Sequence, residues 1–186
     1  KAVNFGVIYG QSAFGLARAL GIADDAAAQF IDSYFEGYPG IRIFLDEVLA
    51  ECHKNGYVRT ILGRRREISG VRDPRSHPEA GRQRNLAERT AINTVIQGSA
   101  ADLIKMAMVA IHRRLRREKS PAKMLLQIHD ELIFEVPSDQ LTHLAELVTE
   151  EMTGVRRLNV PLKVDVKAGP NWADAVPWEG GGYFPR

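Results

Sequence analysis

Ten consecutive residues restrict the fold of this chain more than any others: Leu125-Leu126-Gln127-Ile128-His129-Asp130-Glu131-Leu132-Ile133-Phe134. Two strand-like apolar runs, Lys123 to His129 and Leu132 to Val136, are separated by the acidic pair Asp130-Glu131, and the natural reading is an antiparallel hairpin with carboxylates at its tip. Two adjacent carboxylates on a rigid turn suit Mg²⁺, a hard ion commonly held by one or two carboxylates plus phosphates. The same pair also makes an ordinary solvated turn, where Asp is common.

Around this hairpin the pattern is mostly helical. Residues 1–9 mix periods but read as a helix. Asp24 and Asp25 favour a helix N-terminus, and Ala27, Phe30, Ile31, Tyr34 and Phe35 recur at helical spacing until Gly37, where Pro39 stops the run. A second stripe, Ile41, Phe44, Leu45, Val48, Leu49 and Cys52, ends at Asn55-Gly56, and the two helices should pack as a hairpin. Residues 57–62 read as a strand, Gly63 with three arginines after it as an exposed turn, and 69–78 as a Pro- and Arg-rich loop. Residues 79–119 read as a long helix with a break or bend near Asn93 to Gly98. After the acidic hairpin, Leu141, Leu144, Ala145, Val148 and Met152 mark a further helix, and Leu162 to Val166 alternate like a strand. Residues 179–186, with their three glycines, read as a loose tail. The expected class is α+β, helices followed by a small antiparallel sheet packed on helices.

With 45% apolar and 26% charged residues, a chain of 186 residues can bury a core. No run approaches the roughly 20 apolar residues that span a bilayer, and the first residues lack a signal-peptide layout, so the expectation is a soluble intracellular protein without a membrane partner. Cys52, the single cysteine, rules out an intrachain disulfide and fits a reducing compartment. The start on Lys1, within an amphipathic segment, suggests a chain that continues upstream.

The net charge of +2 says little about partners, but the positives are unevenly placed. From Arg59 to Arg89 nine arginines face four acids, and Arg113, Arg114, Arg116, Arg117, Lys119 and Lys123 face only Glu118. Such patches suit phosphate backbones, although solvated helix faces look the same. In the first segment, Lys1, Phe5 and Tyr9 advance by four and share one helical face. A cation followed by two aromatics could hold a triphosphate and stack on a base, or the aromatics could simply be core.

Taken in order, these segments resemble the A family of DNA polymerases. Lys1 to Gly10 is similar to the fingers-helix motif, and Gln127-Ile-His-Asp-Glu131 to the second palm carboxylate motif. Gly56-Tyr-Val-Arg-Thr-Ile-Leu-Gly-Arg-Arg-Arg66, Glu88 to Asp102 and Gly169-Pro-Asn-Trp172 match as well. The resemblance covers about residues 1–178, with about 1–85 as fingers and 86–178 as part of the palm. It implies template-dependent addition of deoxynucleotides to a primer 3′ end by two-metal phosphoryl transfer, in replication or repair, with primer-template DNA and deoxynucleoside triphosphates as partners, Mg²⁺ as cofactor and a monomer when complete. The implied setting is bacterial cytoplasm, at the nucleoid, or a virus.

By the same resemblance, Lys1 contacts the triphosphate, Phe5 packs near its sugar and Tyr9 lies by the templating base. Arg89, Asn93, Gln97, Gln127 and His129 face the primer-template duplex. Asp130 binds catalytic Mg²⁺ and Glu131 supports it. The family's other catalytic aspartate, the arginine before the fingers lysine and the thumb have no counterpart in these residues, which implies that the chain alone cannot extend a primer. Two rival readings are a DNA-binding module without catalysis and an α+β interaction domain whose stripes are all core.

Overall fold

Left-handed glycines, Gly21 and Gly56, close two of the helices in this chain. The computed structural model describes residues 2–71 and 80–178, in two compact units that meet in sequence between Ser99 and Ala100. The first unit opens with four helices, α1 (Ala2–Ile8), α2 (Ala13–Leu20), α3 (Asp24–Gly37) and α4 (Pro39–Asn55). Lys1 lies outside the described residues. Helix α2 was not anticipated from the pattern, because eight residues give too few turns for a period. Its end signals are present: the Ser12 hydroxyl accepts from the Gly15 N–H at 3.2 Å, and Gly21 closes the helix at φ 67. Pro39 begins α4 as well as stopping α3, since a proline at the first helical turn leaves no hydrogen bond unmade.

Val7, Leu16, Ala17 and Ala27 form one buried cluster under α1 to α3. A second joins Cys52 of α4 to Val58, Ile68, Val71, Ala87 and Ala91. Helices α3 and α4, expected to pack as a hairpin, do touch, while their buried faces serve different clusters. They meet near their junction, where the Arg42 guanidinium lies 4.5 Å from the centre of the Phe35 ring. His53 ties the second cluster together, with Nδ1 3.1 Å from the Val71 carbonyl and Nε2 3.2 Å from Glu88. Burial pushes the neighbouring Cys52 thiol up from its ordinary pKa.

Strand β1 (Tyr57–Arg59) is shorter than expected, and the three arginines do not all stay in the turn. Arg65 and Arg66 open β2 (Arg65–Glu67), antiparallel to β1 with Val58 opposite Arg66, and Arg64 stands just before it. Gly63, at φ 80, permits the reversal between them. The expected loop 69–78 falls largely outside the described residues.

Of the expected break or bend, the break is absent: α5 (Ala80–Arg117) is one continuous helix. Gly98 serves packing: a Cβ there would stand 2.9 Å from Thr60 Cγ2. A glycine costs a helix only about 1 kcal/mol relative to Ala, too little to interrupt one anchored on both sides of it by buried Ala91, Ile92, Ala107 and Ile111. By length and mean hydropathy alone, Leu86–Arg117 could cross a membrane, and 22% of its apolar window is buried within the protein.

In the second unit, Ala107, Ile111 and Leu115 of α5 pack with Leu144, Leu147 and Val148 of α6 (Leu141–Thr153). The hairpin of β3 (Lys123–Ile128) and β4 (Glu131–Glu135) adds Met124, Leu132 and Phe134 to this core. The predicted strand 162–166 forms no ladder among the described residues. Its alternation is real, with Leu162, Val164 and Val166 half-buried between exposed Lys163 and Asp165, and its last residue reaches a partner, the Val166 carbonyl accepting from the Trp178 N–H at 3.0 Å, but the ladder itself lies just after it, between β5 (Lys167–Ala168) and β6 (Val176–Pro177). Period-2 burial requires only an extended chain on a surface; a ladder also requires a partner. Among the described residues, three two-stranded antiparallel sheets set among helices make an α+β fold.

Candidate functional site

Two chemically opposite sites stand out, one in each unit. In the second unit, β3 and β4 pair Ile128 with Glu131, leaving His129-Asp130 as the turn. His129 adopts φ 52, a left-handed conformation uncommon outside glycine. The Gln127 side-chain amide donates to the His129 carbonyl at 2.6 Å and braces this turn. His129, Asp130 and Glu131 are all exposed, so two hard oxygen donors project at a tip fixed by its backbone. Among the described residues no group of three or more His, Cys, Asp or Glu side chains converges as a metal site. The donor set thus fits a partial coordination sphere for Mg²⁺, which typically takes one or two carboxylates and completes its shell with phosphates and water.

In the first unit, the β1–β2 turn and the adjoining stretch of α5 enclose a cavity of about 400 Å³, lined by Thr60, Arg64, Arg65, Arg66, Asn93 and Gln97 among others. Helical spacing brings Asn93 and Gln97 to one face of α5. The hairpin is tied to the helix by Arg66 Nη1 donating to Thr94 Oγ1 at 3.0 Å and by the Ile61 N–H donating to Ser99 Oγ at 2.9 Å. Arg59 and Arg65 lie 5.4 and 5.0 Å from the centre of the Tyr57 ring, on which they stack as cations. The Tyr57 hydroxyl, 2.9 Å from Arg59 Nη2, raises the Arg59 pKa further above its ordinary value. Asn93 Oδ1 is buried without a hydrogen-bond partner.

Of the residues singled out from sequence, Asn93 and Gln97 therefore share a cationic cavity, and Gln127, His129, Asp130 and Glu131 share the acidic tip. Arg89 does not line the cavity; its stem packs on Gly10, where an added Cβ would stand 3.1 Å from Arg89 Cγ. That places Arg89 beside the end of α1, next to half-buried Tyr9. Lys1 lies outside the described residues, and of Phe5 only the helical backbone is described. The sequence reading gave no individual role to Thr60, Arg64, Arg65, Arg66 or Thr94. The local excess of arginine was the available signal; what it lacked was the strand pairing that folds those arginines back onto α5.

Comparison with known proteins bears on both sites. The model of DNA polymerase family A matches residues 1–174. DNA polymerase I of Geobacillus stearothermophilus is 47% identical over 94% of this chain and 19% of its own length, and that of Chloroflexus aurantiacus 49% identical over 95% and 18%. The chain thus spans about a fifth of the length of these curated relatives. Among solved structures, the polymerase domain of Pol1 from M. smegmatis, in complex with DNA primer-template and dNTP, is 40% identical with a TM-score of 0.80, over 87% of this chain and 28% of that one. With that match running through α1, the arginine hairpin and the carboxylate tip alike, the chain belongs to DNA polymerase family A.

Proposed function

We propose that this chain supplies the fingers, up to about residue 85, and part of the palm, about 86–178, of a template-directed DNA polymerase. The observation that carries the reading is the exposed Asp130-Glu131 pair on a backbone-fixed hairpin tip, within a chain that matches the family over residues 1–174. Mg²⁺ bound there would polarise the primer 3′-hydroxyl and the triphosphate. Asp130 would ligate it and Glu131 would steady it, as outer carboxylates do in other metal sites. Both carboxylates are short and exposed, so neither needs a large rearrangement to meet a nucleotide.

The remaining residues bind and orient. Lys1 would place positive charge against the triphosphate, where negative charge grows during transfer, with Phe5 by the sugar and Tyr9 by the templating base. Asn93 and Gln97, in a cavity walled by Arg64, Arg65 and Arg66, offer amides to bases or sugars while guanidinium groups hold the backbone; this is the division of labour of phosphate contacts that position and edge contacts that read. Arg89, Gln127 and His129 would complete the duplex-facing set. Base pairing supplies sequence information, so none of these residues needs to read a particular base.

The test is primer extension by the chain joined to the upstream palm and thumb of a family relative, beside an Asp130→Ala version shown to fold by circular dichroism. Extension should fall by at least about a thousandfold in the variant; equal extension would give the site to DNA binding without catalysis. The 186 residues alone should bind primer-template yet not extend it. In the joined protein Phe5→Tyr should raise dideoxynucleotide incorporation, and an unchanged termination pattern would count against the placement of Phe5.

A further inference from the structure

The end of α5 and the loop after it carry six cations between Arg113 and Lys123, and the structure sorts them by face. Arg114 is neutralised three times over, by Glu118 at 3.0 Å, Glu150 at 2.6 Å and Glu151 at 3.1 Å. Arg116 and Lys119 have no acidic partner among the described residues. His112 and Arg116, at i and i+4, share one face of α5, and with Lys119 just past the helix end they line a cleft of about 450 Å³ that Ser120 and Lys123 complete. Lys123 has a single acidic neighbour, Glu135 at 3.3 Å, and both ends of that pair are largely exposed.

Lys119 is held in an unusual way. The Ser120 N–H donates to the Leu115 carbonyl at 2.9 Å and the Lys119 N–H to the Arg116 carbonyl at 3.3 Å, the paired bonds of a Schellman helix end, whose left-handed position glycine normally fills. Here that position is Lys119, at φ 52. The left-handed conformation is unfavourable for a residue with a side chain, so a cation sits at the rim of the cleft where an uncharged glycine would be easier to fold. Backbone carbonyls at a helix C-terminus repel anions, which leaves the side chains to supply any affinity.

We propose that this cleft binds a small oligophosphate, inorganic or nucleoside-borne, through Arg116, Lys119 and Lys123, with His112 at its edge. Its volume lies in the range of small-molecule sites, and its cations converge on a concavity instead of tracking along a ridge as a duplex backbone requires. Guanidinium and ammonium groups together suit phosphate oxygens, the first as a planar fork and the second as a point charge. The cleft is distinct from the acidic tip: Lys123 opens the six-residue strand β3 and His129 follows its last residue, a separation of about 20 Å at ~3.3 Å per residue. The proposal does not depend on the polymerase reading, and either can fail alone.

The test is a titration of the isotope-labelled chain with sodium tripolyphosphate in Mg²⁺-free, low-salt buffer, followed by the backbone amide resonances of Lys119, Ser120 and Ala122. Phosphate binding elsewhere, at α1 or the arginine cavity, reports on other amides and does not confuse the reading. Saturable shifts are expected, with Kd raised about tenfold by Arg116→Ala and likewise by Lys119→Gly, whereas Arg113→Ala leaves it unchanged. Lys119→Gly suits the left-handed position, so loss of binding there is not loss of fold. The proposal is overturned by the absence of saturable shifts, by an unchanged Kd in both Arg116→Ala and Lys119→Gly, or by a short duplex DNA shifting the same amides at lower concentration than tripolyphosphate.

Discussion

The arginine hairpin β1–β2 and the acidic hairpin β3–β4 present opposite charges and are held in opposite ways. The cationic groups of the first are fixed through side chains: Arg59 and Arg65 stack on Tyr57, and Arg66 bonds Thr94. The acidic groups of the second are fixed through the backbone, by a two-residue turn with His129 left-handed and its carbonyl braced by Gln127. Side-chain length explains the contrast. An arginine gives up about 2 kcal/mol of rotamer entropy when it is immobilised and needs partners along its length, whereas an aspartate is positioned almost entirely by the Cα that carries it.

The contrast can be broken at Gly98. A side chain there meets Thr60, which is 8% exposed and has little room to yield. Gly98→Val should destabilise the first unit by about 2 kcal/mol, read as a lower urea midpoint, and should weaken duplex DNA binding by displacing the arginine hairpin. Thr60→Ser in the same chain removes the offending methyl and should recover part of both losses. If Gly98→Val is neutral, the hairpin is not seated on α5 as described.

Arg66→Ala tests the same hairpin more gently. It removes one cation and the bond to Thr94, and duplex affinity should fall about fivefold at low salt, with the slope of log affinity against log salt reduced by about one. Asp130→Ala should leave that slope unchanged. A common response of both variants would mean that the two hairpins do not divide binding from chemistry between them.

How much of this was legible in the sequence follows from the same distinction. The acidic hairpin was legible to within one residue, because a change from apolar alternation to charge and back is local: the turn falls at His129-Asp130, one position earlier than the expected Asp130-Glu131, and Glu131 opens β4. Helices α3 and α4 were read from stripes with clear end signals, and α6 from its stripe alone. The arginine cavity was not, since its wall forms only when β2 pairs with β1 and both lie on α5, a contact between residues nearly forty positions apart, such as Ile61 and Ser99. Gly98 misled for a related reason: glycine inside a helix reads as a weak point until the neighbour that needs its missing side chain is known. The strand expected at 162–166 failed because alternation reports exposure and says nothing of a hydrogen-bonding partner.

The smallest effect concerns acid. In the unit that carries the acidic hairpin, hydrogen bonds from Arg114 and then His143 hold the Glu118 carboxyl below its ordinary pKa of 4.5, and that ion network links α5 to α6. A carboxylate whose folded pKa is depressed favours the folded chain at every pH above its unfolded pKa, and that contribution disappears as pH falls from there through the folded value. Unfolding followed by amide exchange on α6 should therefore show protection declining below about pH 4.5, where the unfolded carboxyl gains its proton first. Arg114→Ala should flatten this acid limb while lowering protection slightly near neutrality, a small effect because the charges are solvent-screened. Arg65 and Arg66, which lean on a ring and a hydroxyl, provide the contrast: removing either should leave the acid limb of α6 untouched. An acid limb of unchanged steepness in Arg114→Ala would show that the network is a surface arrangement without thermodynamic weight, and that the second unit is held by its apolar core alone.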